Sequence, residues 1–173
     1  MALLDILEAP DPRLSTVCQP VERVDADLLR LLDDMLETMH AAPGIGLAAP
    51  QVGHLKRACV IDLGKDAGRE PLFLINPEMI WQSDAIAVEE EGCLSLPEQF
   101  GQVARAQQVR VSYIDRAGAR REVEGDGLLA RCLQHEIDHL DGVLFVDHLS
   151  ALRRNMILRK LQKAKKLKQP VPA

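Results

Sequence analysis

The sequence predicts an α+β fold: small antiparallel or mixed strands packed around a central metal-binding helix, with one helix towards the N-terminus and another at the C-terminus. Three observations predict it. The run Leu133-Gln134-His135-Glu136-Ile137-Asp138-His139-Leu140-Asp141-Gly142 has helical periodicity and sets two histidines four residues apart. Short β-rich runs are grouped between helical segments and do not alternate strictly with them. An amphipathic stretch precedes these runs, and a basic stretch with an apolar stripe ends the chain.

Each element follows from its own pattern. Asp25 to His40 intersperses Leu28, Leu29, Leu31, Leu32, Met35, Leu36 and Met39 with acids, which predicts an amphipathic helix. Strands are expected at Ala58 to Leu63, Leu72 to Ile75, Ile86 to Val88, Val109 to Ile114 and Arg120 to Glu124, and Asp115-Arg116-Ala117-Gly118 reads as the hairpin turn joining the last two. The motif helix is led in by Gly127-Leu128-Leu129-Ala130-Arg131-Cys132, mostly good helix formers without proline. Leu129, Leu133, Ile137 and Leu140 form a core stripe, Leu128, Cys132, His135 and His139 a neighbouring mixed one, and Gly142 is the expected stop. From Ala151 a last helix carries Leu152, Met156, Ile157 and Leu161 on one stripe. No repeat, low-complexity tract or linker interrupts the chain, so residues 1–173 read as one domain.

Composition narrows the class. Hydrophobic residues make up 47% with only three Phe, one Trp and one Tyr, so the core is aliphatic. The N-terminal residues lack a basic start and a continuous apolar run, which argues against a signal peptide. No apolar run reaches the roughly 20 residues of a membrane span. Four irregularly spaced cysteines fit a reducing cytosol better than a disulfide framework. The net charge is −5, yet the segment from Ala151 holds eight bases and no acid, leaving −13 on the first 150 residues. A basic helix on an acidic body suits an anionic partner surface.

The chemistry starts at His135-Glu136-Ile137-Asp138-His139. Two histidines one helical turn apart can reach one metal ion, and the glutamate after the first can act as base on a metal-bound water. A helix with two hydrogen-bonded, half-buried histidines is the plain alternative. A catalytic site of this kind needs a third protein ligand and an open position. The long protease pattern would put a histidine at 145, but Phe145 stands there. His40, His54, His148 and the four cysteines remain, and Cys93 stands out in the irregular Glu89-Glu90-Glu91-Gly92-Cys93-Leu94-Ser95-Leu96-Pro97 segment. The acids upstream disfavour a bare thiolate nucleophile, whereas a bound cation would strip the thiol proton; a buried structural cysteine is the default otherwise. In Pro43-Gly44-Ile45-Gly46-Leu47-Ala48-Ala49-Pro50-Gln51, small residues permit close backbone approach and Gln51 supplies an amide donor. The lysine and hydroxyl of a phosphate loop are missing.

Gly44-Ile45-Gly46-Leu47-Ala48-Ala49-Pro50-Gln51, Glu91-Gly92-Cys93-Leu94-Ser95 and Gln134-His135-Glu136-Ile137-Asp138-His139 together resemble the three motifs of the peptide deformylases, in that family's order and closest to its bacterial form. The resemblance runs from Asp11-Pro12-Arg13-Leu14 to Leu144-Phe145-Val146-Asp147; beside the site, Glu89 and Arg131 replace residues that are apolar in some relatives. It implies a metallohydrolase that removes the formyl group from the N-terminal formyl-methionine of newly made proteins and releases formate, with a metal-bound water as nucleophile and Glu136 as general base and then acid. It assigns Cys93, His135 and His139 to one divalent ion. The spacing makes zinc the default; the family implies Fe2+, with Zn2+, Ni2+ or Co2+ as substitutes. Gln51 and the Leu94 N–H would meet the oxyanion, and Ile45 and Gly46 would pair with the peptide backbone like an added strand. Leu128 and Cys132 would line a hollow for the methionine side chain, and Glu91 would pair with Arg105 to brace the cysteine loop. The expected partners are nascent formylated polypeptides and, through the basic C-terminal helix, the ribosome near its tunnel exit; no membrane and no DNA are expected, and the location is cytoplasmic.

Two other readings give different outcomes. A metallopeptidase, favoured by H-E-x-x-H alone, would release peptides and no formate. A non-enzymatic, metal-stabilised module on ribosome or RNA would close its site with four protein ligands, where the sequence offers three good ones.

Overall fold

The computed structural model describes residues 2–168. In chain order they form α1 (Ala26–Ala41), β1 (Gly46–Ala48), β2 (Ala58–Ile61), β3 (Leu72–Gln82), β4 (Ile86–Cys93), β5 (Leu96–Ala106), β6 (Gln108–Ile114), β7 (Arg120–Asp126), α2 (Gly127–Leu140) and α3 (Ala151–Lys168), with short 3-10 turns between them. The α+β class holds. Five strands make an antiparallel sheet in the order β1-β2-β3-β6-β7, and β4 and β5 pair as a separate two-stranded ribbon.

Strand β2 explains the layering. All four of its residues are buried, because successive side chains point to opposite faces and each face meets a helix. Cys59 and Ile61 pack with Leu129, Leu133, Ile137 and Leu140 of α2, the predicted core stripe. Ala58 and Val60 pack with Leu28, Leu31, Leu32, Met35 and Met39 of α1. Leu32 is fully buried, so Leu32→Ala is expected to cost roughly 2–5 kcal/mol. The Asp25 carboxylate accepts from the Leu28 N–H at 2.9 Å and starts α1 where the acid–apolar pattern begins. At the other end of the site helix, Leu140 O accepts from the Cys18 N–H and from Arg57. Gly142 has φ +74°, and a Cβ there would lie 2.7 Å from the Ser15 backbone, so only glycine closes α2 this tightly.

The differences from the sequence reading have local causes. β3 continues past Ile75 to Gln82, because Asn76 (φ +49°) and Pro77 sit at a register shift that re-enters pairing with β6 and does not end the strand. β4 extends to Cys93, and β5 was not predicted: Pro97, Gly101 and polar residues mask its alternation. β1, not among the expected strands, is a three-residue edge strand. The expected stripe of α3 is only half right. Ile157 and Leu161 are buried against Phe145 and Leu96, with Leu158 packed beside them, while Leu152 and Met156 are exposed. Positions 169–173 of the basic tail lie outside the described residues.

Candidate active site

Helix α2 and the ribbon converge on one point. Cys93 Sγ, a His135 nitrogen and a His139 nitrogen all lie within 4.8 Å of one another. His139 Nε2 is 3.3 Å from Cys93 Sγ and 3.2 Å from His135 Nε2. Donors about 2.0–2.3 Å from one tetrahedral ion lie roughly 3.3–3.5 Å apart, so the spacing fits a single ion. A thiolate with two imidazoles is a donor set for a borderline divalent metal. Cys93 reaches this point because the ladder of the ribbon shifts register between Gly92 and Cys93 just before the hairpin turn at Leu94 and Ser95.

The ligands are oriented from behind. His135 Nδ1 donates to Glu91 Oε1 at 2.9 Å, which leaves Nε2 for a metal. Glu91 is itself gripped by Arg105, whose Nε and Nη2 donate to its two oxygens at 2.6 and 3.0 Å. Burial works to raise the Glu91 carboxyl, but His135 and Arg105 outweigh it and hold it well below the carboxylate range. The predicted Glu91–Arg105 brace is therefore present, as a buried bidentate pair. Arg105 Nη1 also donates to Asp138 at 2.8 Å. Burial, helped by the nearby His135 and Arg105, holds the His139 pKa well below its ordinary value.

Glu136 points to the same space without joining the ligand set. It is 4% exposed, and its Oε1 has no hydrogen-bond partner among the described residues. Burial pushes its carboxyl up to about 7. It fits only because residue 46 is glycine: a Cβ there would lie 2.4 Å from Glu136 Oε2. Gln51, fully buried, has its amide oriented at both ends: its Oε1 accepts from the Ala48 N–H at 2.9 Å, and its Nε2 donates to Ser95 Oγ at 3.0 Å and reaches Cys93 Sγ at 3.6 Å. The Leu94 N–H has no protein acceptor among the described residues.

A cleft of about 510 Å³ opens over these groups, with Ile45, Gly46, Leu94, Leu128 and Cys132 in its wall. Ile45 O accepts from the Asp62 N–H, so by the alternation of an antiparallel ladder Gly46 turns its own N–H and C=O to the unpaired edge of β1. Burial pushes the Cys132 thiol up to about 12, leaving it a small apolar wall group.

A model of the polypeptide deformylase family matches residues 3–155. The chain belongs to the peptide deformylase family. It is 52% identical to a peptide deformylase of Methylocella silvestris over 99% of this chain and 90% of the relative. It is 56% identical to that of Alkalilimnicola ehrlichii over 94% and 91%. A crystal structure of a peptide deformylase from Legionella pneumophila superposes with a TM-score of 0.90 at 47% identity, covering 98% of this chain and all of that one. The enzyme from Ehrlichia chaffeensis, solved in complex with actinonin, superposes with a TM-score of 0.90 at 42% identity over 98% and 100%. As a peptide deformylase the chain is a hydrolase.

Nine of the ten site residues of the sequence reading thus line one cleft in this deformylase fold, and the tenth, His139, lies buried beneath it with a ring nitrogen within 4.8 Å of the Cys93 and His135 donor atoms. Three supporting residues were not assigned. Ser95 anchors Gln51, Asp138 ties Arg105 to His148, and Arg131 is a buried donor to Glu91, not a rim charge. An arginine one helical turn before a ligand histidine, at a helix face expected to be apolar, was the available signal for the last.

Proposed function

We propose that this chain removes the formyl group from N-terminal formyl-methionine on newly made polypeptides, releasing formate. The observation that carries this reading is the pairing of a three-donor Cys–His–His cluster with a buried carboxylate, Glu136, that stands outside it with one oxygen unpartnered. A divalent ion on Cys93, His135 and His139 would polarise the formyl oxygen and lower the pKa of the attacking water. Fe2+ is the native ion we propose, with Zn2+, Ni2+ or Co2+ suited to the same donors.

The protein groups divide the remaining work. Glu136 takes a proton as water adds to the formyl carbon, then gives it to the methionine nitrogen as the C–N bond breaks. The Leu94 N–H and the Gln51 amide face the negative charge on the formyl oxygen, each worth roughly 3–4 kcal/mol. For Gln51, the N–H in the long contact to Cys93 turns to that oxygen while the Ser95 bond keeps the amide in place. Gly46, with Ile45 beside it, offers the outward N–H and C=O of an edge strand to the peptide backbone. Leu128 and Cys132 supply apolar surface for the methionine side chain. The cytoplasm, where nascent chains emerge, is the proposed location; no helix of the described residues is long and apolar enough to cross a membrane.

A formyl-methionyl tripeptide is the test. Formate and the free amine should appear in equal amounts, with the acetylated peptide and internal peptide bonds left intact. Peptide fragments without formate would instead support a peptidase.

A further inference from the structure

Arg131 is 7% exposed and lies one turn before His135 on α2. Its guanidinium crosses from the helix to both strands of the ribbon. Nη1 donates to Glu91 Oε2 at 2.5 Å and to Val103 O at 3.0 Å, and Nη2 donates to Ala87 O at 2.9 Å. Nε lies 3.4 Å from a carboxylate oxygen of Glu89, which is mostly solvent-exposed.

The effect is clearest from the Glu91 side. An ionised carboxylate has about four acceptor directions, and here four donors fill them. Oε2 accepts from Arg105 Nε and Arg131 Nη1, and Oε1 accepts from Arg105 Nη2 and His135 Nδ1. The Glu91 carboxylate cannot turn without breaking a buried, charge-assisted bond, and these are the stronger kind. Its direction sets where the His135 ring points, and so where Nε2 is aimed. Arg105 alone would hold it at two points, both on β5; Arg131 adds a third point, on the same helix as the histidine.

We propose that Arg131 is a positioning residue for the metal site, acting through Glu91 to fix the direction of His135. This rests on the assignment of His135 as a ligand. Loss of a partner in such an outer shell typically weakens metal binding about 10- to 100-fold. A role confined to folding would lower thermal stability without that signature.

The test uses the full chain loaded with nickel and challenged with EDTA, together with side-chain 15N NMR of His135 in the metal-free protein. Arg131→Met should lose nickel at least about tenfold faster than the unmodified chain. Its His135 Nδ1–H, no longer held to a fixed acceptor, should exchange with solvent severalfold faster. In a Glu91→Gln background the same substitution should add less than twofold to the rate. Unchanged nickel retention with unchanged Nδ1–H exchange would overturn the proposal, as would an equally large effect in the Glu91→Gln background. Should Arg131→Met not fold, Arg131→Lys keeps the charge but cannot span Glu91 and both carbonyls. It should lose nickel severalfold faster, and wild-type retention by that variant would overturn the proposal equally. The NMR readout needs neither metal nor turnover, so it separates failure of this proposal from failure of the deformylase reading.

Discussion

At the floor of the cleft Gln51, Glu136 and His139 are at most 4% exposed, whereas at its mouth Ile45, Leu128 and Phe100 are 40–54% exposed. Around that floor Gln51 is held by its bond to Ser95, the ligand His135 by Glu91 with Arg105 behind it, and Glu136 by its close fit against Gly46. The mouth groups contribute apolar area and few directional bonds. A hydrogen-bonded, charged floor fails when one atom moves, while an apolar rim loses contact in proportion to area. Substitutions in the two regions should therefore differ in size and in which kinetic constant they move.

The largest effect is expected at Glu136. Glu136→Ala should lower turnover by roughly 10²- to 10⁴-fold while metal content stays at one per chain, because the carboxylate is not a ligand. Loss of metal, or activity near that of the unmodified enzyme, would remove the assigned role. Gly46→Ala comes next. Its new methyl would displace the Glu136 carboxylate, and a shift of that size costs on the order of 10²-fold. Steady-state kinetics should place the loss in kcat, with a normal circular-dichroism spectrum; an unimpaired kcat would mean Glu136 is not held by that contact.

At the mouth, Leu128→Ala should raise KM about fivefold and leave kcat alone, since trimming a half-exposed leucine forfeits roughly 1 kcal/mol of apolar contact. A fall in kcat instead would place Leu128 with the floor.

The smallest effect on peptide turnover is expected at the exposed bases of α3. We propose that its basic face docks on the ribosome near the tunnel exit, partly on ribosomal RNA. Because Ile157 and Leu161 belong to a core cluster, neutralising exposed bases tests this more cleanly than truncation. Arg159, Lys160 and Lys163 changed together to Gln should weaken ribosome co-sedimentation and flatten its salt dependence, with activity on a short formylated peptide unchanged. Undiminished, salt-insensitive ribosome binding would rule the docking out.

The same contrast separates what could be read in the sequence from what could not. Helices α1 and α2 were legible because burial on one side writes a 3.6-residue period into Leu28, Leu32, Met35 and Met39, or into Leu129, Leu133 and Ile137. The metal ligands and Glu136 were legible because their chemistry demands fixed residue types at fixed spacing. β5 was hidden because a ribbon strand that buries Arg105 against Glu91 has no apolar alternation to display. Ser95 and Arg131 act across the fold, through bonds spanning 44 and 40 residues, and no local pattern records such partners. The α3 stripe misled because Leu152 and Met156 share helical spacing with Ile157 and Leu161, yet only the latter pair meets Phe145 and Leu96.

The central claim is a three-ligand metal site that leaves Glu136 free. Anomalous X-ray diffraction at the absorption edge of the metal in the purified protein tests it most directly. One peak per chain is expected, within bonding distance of Cys93 Sγ, His135 Nε2 and His139 Nε2, with Glu136 outside that distance. A peak elsewhere, or a fourth bond from Glu136 closing the site, would contradict the account.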